Sequence, residues 1–321
     1  MAEEQLHPLS TIPSKEDILA AHRRISPYIH RTPIISSAAM NELNGSGAQL
    51  FFKGDHLQKT GAFKARGALN AVLTHTANAQ GAGFVTHSSG NHGAALAWAA
   101  KVTGQKAYIV MPSNAPQAKI DAVTSYGGSI TFCEPTLEAR ETTALKVQEQ
   151  TGAILIHPYD NYDIIAGQAT ATLELLQDAT MELETIFVPV GGGGLLAGAA
   201  LANHYFGKAK VVGCEPAEAK DAWESFNSGN WTPVKNPRTI ADGLRTSLGH
   251  KNFPIIQQYV DRIELLSEEE LKNAWKLVVS RTKQLVEPSA AAGVAAALRH
   301  QTIENLGVIL CGGNMNLNPF E

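Results

Sequence analysis

Apolar positions along this chain fall into two kinds of run that alternate. Short runs rich in β-branched and aromatic residues predict strands: "GFVTH" (83–87), "KAYIVM" (106–111), "GSITFC" (128–133), "AILIH" (153–157), "TIFVPV" (185–190), "AKVVGCE" (209–215) and "GVILCG" (307–312). Between them, "NHGAALAWAAKVTG", "APQAKIDAVTSYG", "TLEARETTALKVQEQTG" and "LLAGAALANHYFG" space their apolar residues as helices do and run into glycine, a common helix stop. Strands alternating with helices predict an α/β fold with a mostly parallel sheet covered on both faces, and such sheets bind ligands at the carboxyl ends of their strands. The strand ends are therefore where chemistry is sought.

Composition narrows the classes. With 321 residues, 44% of them hydrophobic, the chain can build one large domain or two moderate ones. A net charge of -4 with both signs dispersed offers no basic face for nucleic acid and no polybasic membrane anchor, so a small molecule is the expected partner. Cys133, Cys214 and Cys311 form no CxxC pair, which argues against a zinc site or a disulfide framework and suits a reducing cytosol. "MAEEQLHPLSTIPSK" has no apolar stretch of the signal-peptide kind, and a cytoplasmic location is expected.

Three strand ends are unusual. "TIFVPVGGGGLLAGAALA" runs a strand through Gly191, Gly192, Gly193 and Gly194 into a helix. Glycine costs roughly 0.5 to 1 kcal/mol per residue relative to alanine in regular structure, so four in a row predict close approach of a ligand to the backbone. Successive N–H groups opening a helix form an anion cradle, and phosphate is the expected guest. Gly192, Gly194 and Ala197 also satisfy a GxGxxA dinucleotide pattern, with Glu215 as the ribose acid, so a NAD-dependent oxidoreductase is an alternative. The second end, "GFVTHSSGNHGAALAWAA", carries Ser88, Ser89, Gly90, Asn91 and His92 into a helix; these exceed what an N-cap needs and could receive a carboxylate beside a small acid or base. At the third, "VILCGGNMNL", Cys311 precedes two glycines and is either a small buried hydrophobe or a ligand contact. Elsewhere, "QKTGAFKARGAL" (58–69) sets the amine of Lys64 between Phe63 and Ala65.

Together and in this order, these segments resemble the pyridoxal-phosphate enzymes of fold type II, the tryptophan synthase β-like family, and within it the serine racemase, serine and threonine dehydratase and 3-hydroxyaspartate dehydratase group. The likeness extends through "AHRRISPYIHRTPI" (21–34), "PYDNYDIIAGQAT" (158–170), "TIADGL" (239–244) and "LVEPSAAAGVAA" (285–296), nearly the whole chain. It implies two domains, each with a mostly parallel sheet flanked by helices: residues 1–75 and 161–321 the larger, residues 76–160 a smaller mobile one. It also implies a homodimer. Lys64 would form the imine with the aldehyde of pyridoxal 5'-phosphate, beside Phe63; Gly191 to Gly194 would hold the phosphate, Asn91 the ring oxygen, and Cys311 would face the ring nitrogen. A neutral thiol cannot keep that nitrogen protonated, which tempers the electron sink and favours expulsion of a β-hydroxyl.

The resemblance thus implies an ammonia-lyase that converts L-serine, L-threonine or 3-hydroxyaspartate to a 2-keto acid and ammonia. Lys64 would remove the α-proton, and Ser89 on the opposite face would return one in a racemase. Predominant serine racemisation is the first alternative, a β-replacement synthase a more distant one. For the substrate carboxylate the candidates are Thr60, Ser88, Ser89, Asn91 and His92, with Arg140 for a second carboxylate or as a solvated neighbour of Glu138 and Glu141. The resemblance further places Mg²⁺ or Ca²⁺ on Glu215, the Ala219 carbonyl and Asp221, whereas Asp221 and Glu224 alone read as a helix capping box.

Overall fold

The computed structural model describes residues 9–45, 47–88, 90–300 and 303–315. Its strands are β1 (Ile34–Ile35), β2 (Gln49–Lys53), β3 (Phe84–His87), β4 (Ala107–Pro112), β5 (Ser129–Cys133), β6 (Ile154–Leu155), β7 (Thr185–Pro189), β8 (Lys210–Pro216), β9 (Arg262–Leu266) and β10 (Asn305–Ile309). Its helices are α1 (Lys15–Ile25), α2 (Ala38–Asn44), α3 (Lys64–Ala79), α4 (Asn91–Val102), α5 (Gln117–Ser125), α6 (Leu137–Thr151), α7 (Tyr162–Asp178), α8 (Gly194–Phe206), α9 (Asp221–Ser228), α10 (Asn252–Tyr259), α11 (Glu268–Leu277) and α12 (Ala291–Arg299).

Two sheets result. One runs β1-β2-β10-β7-β8-β9, parallel except for β1; the other runs β5-β4-β3-β6, parallel throughout. The central strands β7 and β3 are buried along their full length, as their unbroken apolar runs require. Edge strand β5 instead leaves Phe132 half exposed. The expected strands are present with ends shifted by a residue or more, and β1, β2 and β9 are additional. β1 is two residues long, and both it and β2 lie in a segment with no helix-strand alternation to mark them.

Helices α3 and α7 cross at a pair of glycines. A Cβ on Gly167 would lie 2.5 Å from the Gly67 Cα, so neither position accepts a side chain. A buried ion cluster fixes the same helices to β2. Arg66 donates to Asp55 and Glu174, and Lys53 donates to Glu174 at 2.7 Å, with all four side chains at most 2% exposed. Two cations offset two anions, as burial of charge demands.

The segment before α3 is equally constrained. Thr60 and Gly61 both take left-handed backbone angles, φ 62° and 72°. The turn they make is gripped from the end of β10: Asn314 donates to the Thr60 carbonyl at 2.6 Å, and Phe63 donates its N–H to the Cys311 carbonyl at 2.9 Å. Lys64 is thereby delivered beside Cys311 as the first residue of α3.

Candidate active site

The Lys64 amine projects into a cavity of about 280 Å³ between the two sheets. It donates to the Pro158 carbonyl at 2.9 Å and lies 5.0 Å from the Phe63 ring centroid. Burial lowers its pKa from 10.5 to about 8, with Cys311 and Glu287 acting in the opposite sense. Roughly a tenth of such an amine is neutral at pH 7, several hundred times the neutral fraction of a free lysine.

Gly191 to Gly194 form the opposite wall, between the end of β7 and the start of α8. Their backbone N–H groups, buried in the structure, donate to no protein acceptor among the described residues. Packing gives glycine here a cause of its own beside the expected approach of a ligand. A Cβ on Gly191 would lie 2.9 Å from the Leu244 Cα, one on Gly192 2.4 Å from the Tyr159 ring, and one on Gly193 2.5 Å from Leu248. Packing within the protein therefore excludes side chains, and the free N–H groups are what remains for an anion.

Asn91, at the start of α4, lines the cavity with its amide held at both ends: it donates to both Glu287 carboxylate oxygens and accepts from Asn314 at 3.0 Å. Cys311 is buried, and burial, aided by Glu287, drives its thiol pKa well above 9.0. The thiol is neutral. Glu287 is a site residue that the sequence does not single out. Burial raises its pKa to about 7, against the Asn91 hydrogen bond. Its one signal is that it is an isolated acid in the otherwise apolar run "LVEPSAAAGVAA".

Histidines surround the amine without charging the site. Burial lowers His87 to about 4, His157 to about 3 and His92 well below 6.5. His157 accepts the Asp160 N–H on Nδ1 at 2.9 Å, so this neutral ring carries its proton on Nε2. A carboxylate in the cavity would thus meet N–H and hydroxyl groups rather than imidazolium. Ser88 and Arg140 line the same cavity, and Arg140 makes no ion pair with Glu138 or Glu141 among the described residues. Thr60 does not line it; it faces a neighbouring cavity of about 630 Å³ that shares Asn91 and Asn314. Ser89 lies outside the described residues.

The acids at the end of β8 and in α9 sit apart from this cavity. Glu215 accepts the N–H groups of Ala222 at 2.9 Å and Trp223 at 2.8 Å, capping α9, while Glu224 pairs with Lys220. The expected Asp221–Glu224 capping box is absent: the Glu224 N–H that would donate to Asp221 goes instead to the Lys220 carbonyl at 3.0 Å. Asp221 accepts from the Leu248 N–H at 2.8 Å through Oδ2, and its Oδ1 is buried without a partner. Glu215 is turned onto α9 rather than toward the glycine loop, which removes the ribose acid that the dinucleotide alternative needs.

The family model described as pyridoxal-phosphate dependent enzyme matches residues 25–312. The chain belongs to this family. Among relatives of this pyridoxal-phosphate enzyme, the serine racemase of Dictyostelium discoideum is 45% identical over 98% of this chain and 99% of its own. The beta-hydroxyaspartate dehydratase of Paracoccus denitrificans is 42% identical over 96% and 98%. The solved threonine deaminase of T.th. superposes with a TM-score of 0.88 at 45% identity, covering 95% of this chain and 99% of that one. The homologues of this pyridoxal-phosphate enzyme are racemases and ammonia-lyases, and its two parallel-sheet domains match their architecture. No helix among the described residues is long and apolar enough to cross a membrane.

Proposed function

We propose that the enzyme is an ammonia-lyase for a small hydroxy-amino acid, L-serine, L-threonine or 3-hydroxyaspartate, yielding a 2-keto acid and ammonia. The observation that carries this reading is the buried Lys64 amine, held at about 8 in one cavity with the glycine loop, Asn91 and the neutral Cys311 thiol. The orphan N–H groups of Gly191 to Gly194 fit a phosphate, Asn91 the ring oxygen of pyridoxal phosphate, and Cys311 its ring nitrogen. Bound there, the cofactor supplies a sink for the electron pair left when the substrate Cα loses its proton. Lys64 Nζ takes that proton, oriented by the Pro158 carbonyl. A thiol with a raised pKa gives the ring nitrogen no formal negative partner, which favours loss of the β-hydroxyl over long-lived carbanion chemistry.

Ser88, Ser89, Asn91 and His92 are the proposed carboxylate loop, and Arg140 the anchor for a second carboxylate; the hydroxyaspartate dehydratase relative supports including a diacid. The two pieces 1–75 with 161–321 and 76–160 are proposed to close on the substrate and exclude water. Glu215, Asp221 and the Ala219 carbonyl are the proposed all-oxygen set for Mg²⁺ or Ca²⁺, a reading supported by Asp221 Oδ1, which is buried without a hydrogen-bond partner. A cytoplasmic homodimer completes the reading. Three free cysteines favour a reducing compartment, and exposed Leu57 and Leu285, each next in sequence to a member of the His56–Gln284 hydrogen bond, are the proposed apolar surface for a second copy.

Serine racemisation is the second reading, favoured by the Dictyostelium relative, with Ser89 as the returning acid. Keto-acid release from L-serine, L-threonine and both 3-hydroxyaspartate diastereomers, with chiral analysis of the remaining amino acid, separates the two. Keto acid with little D-enantiomer is expected. D-enantiomer formed faster than keto acid would make the enzyme a racemase, and Lys64→Ala retaining full turnover would remove the mechanism.

A further inference from the structure

One ion pair is made within the lining of the Lys64 cavity. Lys119, in the first turn of α5, donates to Asp242 Oδ2 at 2.8 Å across 123 residues. Helix α5 follows β4 of one sheet, whereas Asp242 opens a turn fixed to the other sheet's glycine loop: Leu244 of that turn is the residue packed on Gly191, and the Gly243 N–H donates to Ser289 at 3.1 Å. The two side chains are 33% and 43% exposed, which puts the pair where the cavity opens. Its charges are also felt deeper inside, since Asp242 raises the pKa of Glu287 and Lys119 lowers it.

The opening carries more cations than anions. Arg140 and Arg245 line the cavity beside Lys119, and both donate to neutral backbone oxygens, Arg140 to the Thr136 carbonyl at 3.4 Å and Arg245 Nε to the Thr239 carbonyl at 2.8 Å. Among the described residues the lining holds two acids, and Glu287 is taken up by Asn91. Asp242 is therefore the one anion the protein sets against Lys119. An ion pair this exposed is screened by water and contributes little, so exchanging its carboxylate for another one costs little. A substrate carboxylate that also meets Arg140 gains by the exchange.

We propose that Lys119 reads the substrate side chain: the distal carboxylate of a dicarboxylic hydroxy-amino acid displaces Asp242 from Lys119, while an uncharged side chain leaves the pair intact. This rests on the hydroxy-amino-acid reading above and narrows it to the residues that choose among its substrates. Asp242 sets the balance. By competing for Lys119 it weakens binding of a diacid, and by neutralising Lys119 it keeps the same cleft suited to serine and threonine. Removing Lys119 and removing the Asp242 charge must then move diacid binding in opposite directions.

The test uses the holoenzyme of wild type, Lys119→Gln, Lys119→Arg and Asp242→Asn. It measures KM for 3-hydroxyaspartate and L-serine, and the dissociation constants of L-aspartate and L-alanine from the change in cofactor absorbance. L-Aspartate has the distal carboxylate without a β-hydroxyl, so it reports recognition apart from elimination. Lys119→Gln is expected to raise both diacid constants by about tenfold, and Lys119→Arg, which keeps the charge, to hold them within about threefold of wild type. Asp242→Asn is expected to lower them by about two- to fivefold, the range an exposed pair spans. The constants for L-serine and L-alanine should move by less than about twofold in each variant. A pair that only ties the two sheets together would shift Lys119→Gln and Asp242→Asn in the same direction for all four ligands, and that result would overturn the proposal. Unchanged diacid constants in Lys119→Gln would overturn it as well. If neither hydroxy-amino acid yields keto acid while the L-aspartate constants follow the expected pattern, the ammonia-lyase reading falls and the role of Lys119 stands.

Discussion

Asn91 donates its side-chain amide to both carboxylate oxygens of Glu287, at 3.2 and 3.0 Å, joining the helix that follows β3 to the segment that precedes α12. The bond crosses from one sheet's domain to the other's inside the active-site cavity. Its acceptor is an acid whose pKa burial has raised from 4.5 to about 7.

That shift has a pH signature. Between these two values the unfolded chain has released the Glu287 proton while the folded protein retains it, so the contribution is full in acid and is lost as pH rises toward 7. Its size is roughly 3 kcal/mol at most. Denaturant unfolding of the cofactor-free protein at several pH values should show wild-type stability falling through this window relative to Glu287→Gln. Parallel curves for the two proteins would mean that Glu287 titrates as an ordinary carboxyl.

The Lys64 amine should announce its lowered pKa directly. In cofactor-free protein, its acylation by an amine-directed reagent, followed by peptide mass analysis, is expected to rise with a midpoint near pH 8, as the buried amine loses its proton. A surface lysine serves as the internal reference. If Lys64 tracks that reference, burial is not setting its basicity.

Arg140 lines the cavity without an ion-pair partner among the described residues. Arg140→Gln is expected to raise KM for 3-hydroxyaspartate by about tenfold or more, the loss of one charge-assisted contact, while KM for L-serine changes by less than about twofold. Equal effects on both substrates would assign Arg140 to the shape of the cleft rather than to a second carboxylate.

The buried ion cluster should be far more sensitive than surface pairs. Glu174→Gln leaves Lys53 and Arg66 with one compensating charge between them and is expected to cost about 3 to 5 kcal/mol. Removing the exposed Arg31–Asp178 pair should cost no more than about 1 kcal/mol. Chemical denaturation of Glu174→Gln and Asp178→Asn compares them, and similar losses would mean that the cluster is not energetically distinct.

Much of the scaffold is legible because its signals are local. A strand buried on both faces needs an unbroken apolar run, and "TIFVPV" and "GFVTH" are such runs; β1 and β2 escape because two to five residues outside the alternating pattern carry too little signal. The four glycines stand out in the sequence for the close approach they would allow a ligand, but the packing that also calls for them does not. Their neighbours Leu244, Tyr159 and Leu248 come from distant segments, and only the packed chain shows that these residues forbid a Cβ. The Asp221–Glu224 box is a sound local reading that the fold replaces: Glu215 caps α9 through the Ala222 and Trp223 N–H groups, and the Glu224 N–H goes to the Lys220 carbonyl.

What the sequence by itself determined is the order of strands and helices, the glycine loop at a strand end, the lone amine of Lys64 and the family resemblance these carry together. Each is a property of neighbouring residues, and backbone geometry converts it directly into structure. The tertiary structure decided what those groups can do. Glu287 meets Asn91 across 196 residues, Pro158 meets Lys64 across 94, and Gly192 meets Asn252 across 60. Desolvation and hydrogen bonding set the protonation and orientation of these groups, and both depend on partners brought together only when the two sheets pack.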